Sequence, residues 1–196
     1  IIDTGCNDDE KRHGLSRYVG KSIVWFDTSE NKKKSQKRTK GGSYINEEEK
    51  RIILEILDDL KSTGELKGLD IGVITGYSGQ KELLRKSIKA TGLDKIASKI
   101  DINTLDAFQG RENDIIIYST VRTRDSIGFQ KEKERVNVAF SRAKKLLIVC
   151  GDKNFFYNFD DQDNKFVEII DYISEGEECE IIQCDGGKLF ERESNS

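Results

Sequence analysis

Asp106-Ala107-Phe108-Gln109-Gly110-Arg111-Glu112, Ile115-Ile116-Ile117-Tyr118-Ser119-Thr120-Val121-Arg122 and Arg135-Val136-Asn137-Val138-Ala139-Phe140-Ser141-Arg142-Ala143-Lys144 say most about how this chain folds. The middle run belongs to a near-continuous apolar strand from Asp114 to Val121, of the kind buried on both faces in a parallel sheet. A buried strand leaves the two polar clusters at its ends, close in space. Such a layout suits one cluster touching a nucleotide while the other helps relay that contact to a polymer.

Outward from this core the chain alternates strand and helix. Ile71 to Thr75 reads as a strand, Gly76-Tyr77-Ser78-Gly79 as a turn, and Gln80 to Lys89 as a helix with Leu83, Leu84 and Ile88 inward. Ile100 to Leu105 alternates apolar and polar residues, as a strand does. Upstream, Ile23 to Phe26 is a short strand, and Asn46 with Glu49 forms a capping-box pattern ahead of Ile52, Ile53, Ile56, Leu57 and Leu60 at helical spacing. Downstream come a short helix at Arg135 to Arg142, a buried strand at Leu146 to Cys150, a helix marked by Phe166, Ile169, Ile170 and Ile173, and an edge strand at Glu180-Ile181-Ile182. This order predicts an α/β domain with a mainly parallel sheet flanked by helices. Ligands of such sheets bind at loops after the carboxyl ends of the strands, which is where Thr75, Tyr77, Thr104 to Glu112 and Arg122 are expected.

At 196 residues the chain fits one domain, 1–196. Hydrophobic and charged residues each make up 35%, so the surface is highly charged while a core remains affordable, and a net charge of -3 does not argue against a local basic patch. Lys32, Lys33, Lys34, Lys37, Arg38 and Lys40 follow one another without an acid, so 27–43 reads as a flexible basic loop: a solvated loop, or an arm that attracts phosphate. The tail, 185–196, is expected to fray. No apolar run is long enough to span a membrane, and no methionine occurs even at position 1, so the simplest expectation is a fragment of a longer protein. Cys6, Cys150, Cys179 and Cys184 contain no Cys-x-x-Cys pair and His13 is the sole histidine, which predicts no metal site and a reducing, cytoplasmic setting.

Arg142 offers the rigid donor fork that stabilises phosphate charge, although an Arg on a helix is more often a surface ion pair. Gly110 permits a tight turn, Gln109 donates and accepts, and Glu112 can accept from ribose hydroxyls; a polar turn with a surface Arg–Glu pair is the plainer alternative. Thr75 and Thr104 bring hydroxyls suited to phosphate oxygens, and Tyr77 either stacks on a base or shields the core. These residues contain no Gly-x-x-x-x-Gly-Lys-Ser/Thr loop and no Asp-Glu pair after an apolar strand, so this chain alone is not expected to turn over ATP.

Thr104 to Glu112 resembles motif V of superfamily 1 helicases, in the branch containing the nonsense-mediated-decay helicase and its DNA-replication relatives. Arg135 to Ala143 resembles motif VI, Ile71 to Gln80 is similar to motif IV, and Ser43-Tyr44-Ile45-Asn46-Glu47-Glu48-Glu49 matches the Ser-x-x-Asn-x-x-Glu lead-in. The order holds from about residue 43 to residue 152. The resemblance implies a three-layer RecA-like fold, the second of two motor domains, with ATP and Mg2+ bound mainly by a first domain that is missing here. It implies Arg142 as the arginine finger, Glu112 and Gly110 at the nucleotide, and Gln109, Gly110 and Arg135 in coupling. Thr75, Tyr77, Thr104 and Arg122 would then lie along single-stranded DNA or RNA. Gly76 departs from the family's proline, and the upstream arginine-containing nucleotide motif is absent from residues 1–20. A catalytically inactive RecA-like module that binds nucleic acid or regulates a partner is the alternative.

Overall fold

The computed structural model describes residues 13–66, 68–96 and 99–190. Six strands form one parallel sheet: β1 (Ile23–Asp27), β4 (Asp70–Thr75), β5 (Lys99–Thr104), β6 (Asn113–Ser119), β7 (Ala143–Gly151) and β8 (Cys179–Gln183). Their spatial order is β5-β4-β6-β7-β1-β8. Between β1 and β4 a two-residue antiparallel hairpin, β2 (Lys37–Arg38) and β3 (Tyr44–Ile45), precedes the long helix α1 (Glu47–Thr63). The other helices are α2 (Ser78–Ala90), α3 (Lys133–Phe140), α4 (Lys153–Tyr157) and α5 (Lys165–Glu175).

The two-residue period of the strands builds two cores. Val24, Phe26, Val73, Ile115, Ile117 and Ile148 face α1 and α2, while Ile23, Trp25, Ile116, Tyr118, Leu147 and Val149 face α3, α4 and α5. A sheet covered on both faces requires continuous apolar strands, and Ile115 to Tyr118 are fully buried. The result is the three-layer α/β arrangement predicted from the alternation.

One connection is unusual, and it positions the site. β5 leaves the sheet edge, and the chain must return past β4 to start β6. No helix longer than the single turn Asp106–Phe108 fits in that passage. Phe108 lies across the middle of β4 at Gly72, where an added Cβ would come within 2.8 Å of Phe108 Cζ and 2.6 Å of Ile116 Cδ1. Gly72 therefore makes room for the crossover. In consequence Gln109 to Glu112 reach the amino end of β6, not the carboxyl edge expected for the whole Thr104 to Glu112 stretch.

Three other expectations are modified. Asn46 caps α1 by accepting from the Glu48 and Glu49 amides, but Glu49 does not return the bond, because the Asn46 amide donates to Gln80 Oε1 at 2.8 Å. The 27–43 segment, read as a flexible loop, holds β2, the first strand of the hairpin, and two buried anchors: Asn31 donates to Glu48 at 2.7 Å and Gln36 accepts from the Thr123 amide at 2.9 Å. Of the tail expected to fray, residues 185–190 pack on the fold, with the Leu189 amide on Glu55 Oε2 at 2.9 Å and Phe190 against Phe26 and Arg17. Residues 191–196, like Cys6, lie outside the described residues. Cys150, Cys179 and Cys184 are buried free thiols, and no helix among the described residues is long and apolar enough to cross a membrane.

Candidate functional site

The predicted residues separate to two edges of the sheet. At the amino edge, Asn113 of β6 pairs with Ala143 of β7, and the Asn113 amide donates to Arg142 O at 3.2 Å. Glu112 and Arg142 thus occupy adjacent strand starts. Gln109, Gly110, Arg111 and Glu112 are exposed, and Gly110 turns with φ +78°, a conformation glycine adopts without a steric penalty. Arg111 is held by Asp101 at 2.8 Å. Arg142 makes no ion pair among the described residues; its NH2 group donates to Ser141 Oγ at 3.1 Å, and its Nε is buried without a partner. A buried donor left unmatched is costly.

At the carboxyl edge, the loops after β4 and β5 meet the β2–β3 hairpin and the approach to α3. They enclose an open cleft of about 430 Å³ lined by Ser43, Tyr44, Tyr77, Thr104, Phe129 and Arg135, among others. Thr104 is part of this lining. Tyr77 also lines it, but the ring is only 3% exposed, wedged between Tyr44 and Phe129 with ring centroids 5.7 Å away on each side. Burial pushes its hydroxyl up to about 12, and Gly128 must lack a side chain because a Cβ there would collide with Tyr77 Oη. Of the two roles considered for Tyr77, shielding the core is the one this geometry supports.

Thr75 and Arg122 do not reach the cleft. Thr75 is fully buried, its Oγ1 accepting from the Tyr77 amide at 3.4 Å. Arg122, 4% exposed, donates to Ser126 O at 2.7 Å and Arg124 O at 3.2 Å and lies 4.2 Å over the Tyr44 ring. Here both side chains support the loops behind the lining instead of facing it.

Arg135 bridges the two polar clusters of the sequence. Its Nε donates to Asp106 Oδ1 at 3.1 Å, its NH1 to Glu132 Oε1 at 3.0 Å, and its guanidinium lies 5.0 Å from the Phe129 ring centre. With the Asn113–Arg142 bond, this ties the motif V and motif VI segments together at both ends of the Asp106 to Asn113 crossover.

The sequence carried no signal for Phe129 and marked Glu49 only as a helix-start and lead-in residue. Phe129 is 53% exposed at the cleft although it is a large apolar side chain. Glu49 is fully buried, and its carboxylate accepts from Ser119 Oγ at 2.6 Å and the Val121 amide at 2.9 Å. Val121 has φ +70°, a rare conformation for a β-branched residue. Asn46 Nδ2 donates to Val121 O at 3.2 Å, so α1 grips this turn on both sides and aims the chain toward Phe129. Desolvation drives the Glu49 pKa up to about 8 even though these hydrogen bonds oppose the rise.

Comparisons with known proteins identify the family. A family model described as an AAA domain matches residues 6–154. The chain belongs to that family. Within it, the ordered motifs and the relatives make it a superfamily 1 helicase domain. The DNA polymerase alpha-associated DNA helicase A of Saccharomyces cerevisiae is 37% identical over 138 residues, covering 66% of this chain and 19% of that protein. An uncharacterized ATP-dependent helicase of Methanocaldococcus jannaschii is 38% identical over 136 residues, 69% of this chain and 18% of that protein. The Regulator of nonsense transcripts 1 homolog of Neurospora crassa is 39% identical over 116 residues, 57% and 10%. The chain thus spans about a fifth or less of these relatives. A crystal structure of the C-terminal domain of a possible DNA helicase from a Lactobacillus aligns over 67% of this chain and 73% of that one, with 15% identity and a TM-score of 0.43.

Proposed function

We propose that this helicase domain is the second motor domain of an ATP-dependent helicase or translocase, supplying the arginine finger and part of the single-strand track. Arg142 carries the reading. Its guanidinium meets no carboxylate among the described residues, keeps a buried Nε without a partner, and stands at the strand edge next to Glu112. A triphosphate held mainly by a first RecA-like domain would satisfy that donor and take Glu112 on its ribose. ATP and the Mg2+ that accompanies it supply the phosphoryl chemistry. This chain's part is to place positive charge where negative charge develops, worth roughly 10³ to 10⁵ in rate for fingers of this kind. Gln109 and Gly110 flank the crossover, and the Arg135–Asp106 bond anchors its far end, so movement at the nucleotide edge has a short mechanical route to the cleft. Domain closure around ATP would then shift Thr104 and its neighbours along single-stranded DNA or RNA. Buried free thiols at Cys150, Cys179 and Cys184 support a reducing, intracellular setting.

The test is steady-state ATPase of the full-length protein with single-stranded DNA or RNA. Arg142→Ala and Arg142→Lys should both abolish strand-stimulated turnover while strand affinity is retained. Near-normal turnover in Arg142→Ala would refute the finger.

A further inference from the structure

We propose that Phe129 is a base-stacking platform: a nucleotide base of the single strand lies on its exposed ring while the strand's phosphates run toward the cations of the β2–β3 hairpin. The inference rests on the strand-track reading above and specifies its chemistry.

Four observations converge. Phe129 leaves 53% of its surface open within a cleft otherwise floored by covered aromatics, an arrangement that costs hydration unless a flat apolar partner covers it. The ring is steadied from within, by Tyr77 at 5.7 Å and by the Arg135 guanidinium at 5.0 Å, so it forms a platform with little left to order on binding. The rest of the lining offers hydroxyls from Ser43, Ser78 and Thr104, groups that suit phosphate and sugar oxygens without reading a base. Lastly, the chain that enters the cleft at Gly42 and Ser43 comes directly from the hairpin, where Lys37, Arg38 and Lys40 are exposed and make no ion pair among the described residues. The only carboxylate in the lining, Asp106, is paired with Arg135. An apolar ring flanked by hydroxyls and unmatched cations fits a polyanion with exposed flat bases. That describes a single strand; a duplex hides its base faces.

The segment was legible in sequence only as a passage between a strand and motif VI. Its direction is decided by tertiary contacts: the left-handed Val121 turn gripped by Glu49, then Gln130 donating to Thr120 O at 2.9 Å, hold Phe129 at the cleft.

The experiment uses the full-length protein and two probes: a single-stranded homopyrimidine oligonucleotide, as DNA and as RNA, and the same backbone carrying abasic sites. Phe129→Ala should weaken binding to the base-bearing strand on the order of ten-fold, the loss expected for one stacked base. It should leave abasic-strand affinity, the salt dependence and the melting temperature unchanged, while Phe129→Tyr should restore tight binding. A second readout is direct. Within this chain Trp25 is the one tryptophan and is fully buried, so the fluorescence that Phe129→Trp adds over the parent protein reports on the cleft and should be quenched by the base-bearing strand alone. Equal weakening on both probes, or no weakening on either, would overturn the platform. If the unsubstituted protein binds neither probe, it is the strand-track reading that fails; if it binds both and is indifferent to Phe129, the track stands and only the platform is lost.

Discussion

The two edges of the sheet differ in how far they complete themselves. At the carboxyl edge the buried and half-buried charged side chains are engaged internally: Arg122 on two carbonyls and a ring, Glu49 on a hydroxyl and an amide, Arg135 on Asp106 and Glu132. At the amino edge, Glu112 and Gly110 are open and Arg142 keeps an unmatched buried Nε. On the proposed reading, the first edge receives single-stranded nucleic acid, and the second is half of a nucleotide site that another domain completes.

Several measurements would break or sharpen that contrast. The largest effect belongs to Arg142→Ala, with strand-stimulated ATP hydrolysis of the full-length protein down by roughly 10³ or more. Because Arg142 contributes no internal ion pair, the melting temperature should stay within a degree or so; a large drop would mean its role is to hold the fold. Arg122→Ala should do the reverse. Removing a buried guanidinium that bonds two carbonyls should cost on the order of 2 kcal/mol of stability, read by denaturant titration. Strand affinity should then fall only as far as the 122–131 loop loosens, and unchanged stability would contradict its supporting role.

Glu49 supplies a test by pH. Its folded-state value, about 8, lies above the ordinary carboxylate range because burial disfavours the charge. The folded state therefore holds its proton where the unfolded chain releases it. The stabilisation is full below about pH 4.5 and is lost as pH rises through 8. Thermal melts should show Glu49→Gln removing this decline between those limits; parallel pH profiles for the two proteins would rule it out. The smallest effect is expected at Thr104→Ala, a few-fold loss of strand affinity by titration. Its salt slope should match the parent, since a hydroxyl displaces no counterion. Arg135→Gln, in contrast, should flatten that slope by about one unit if its charge is felt by phosphate.

Much of the fold was readable along the chain. The central strands read as apolar runs, since a strand with helices on both faces tolerates almost nothing else, and the edge strand β5 as an alternation. The Asn46 cap and the apolar spacing of α1 and α2 were equally plain. The site was only partly readable. Motif spacing brought the Asp106 and Arg135 segments together, and the Asp106–Arg135 bond joins them as expected. Yet a residue's type did not reveal whether its polar atoms were already engaged. Thr75, Tyr77 and Arg122 have the chemistry of strand contacts but are buried, and Phe129, an apolar residue, is half exposed.

Local pattern alone determined the alternation of strands and helices, the parallel sheet and the family motifs, because these follow from periodicity and from residues near one another in the chain. Only the folded structure decided which edge each motif occupies and which side chains remain available. Those outcomes depend on long-range packing: Phe108 fitting over Gly72 carries Glu112 to the edge beside Arg142, and Glu49 holding Val121 in a left-handed turn directs Phe129 to the opposite one.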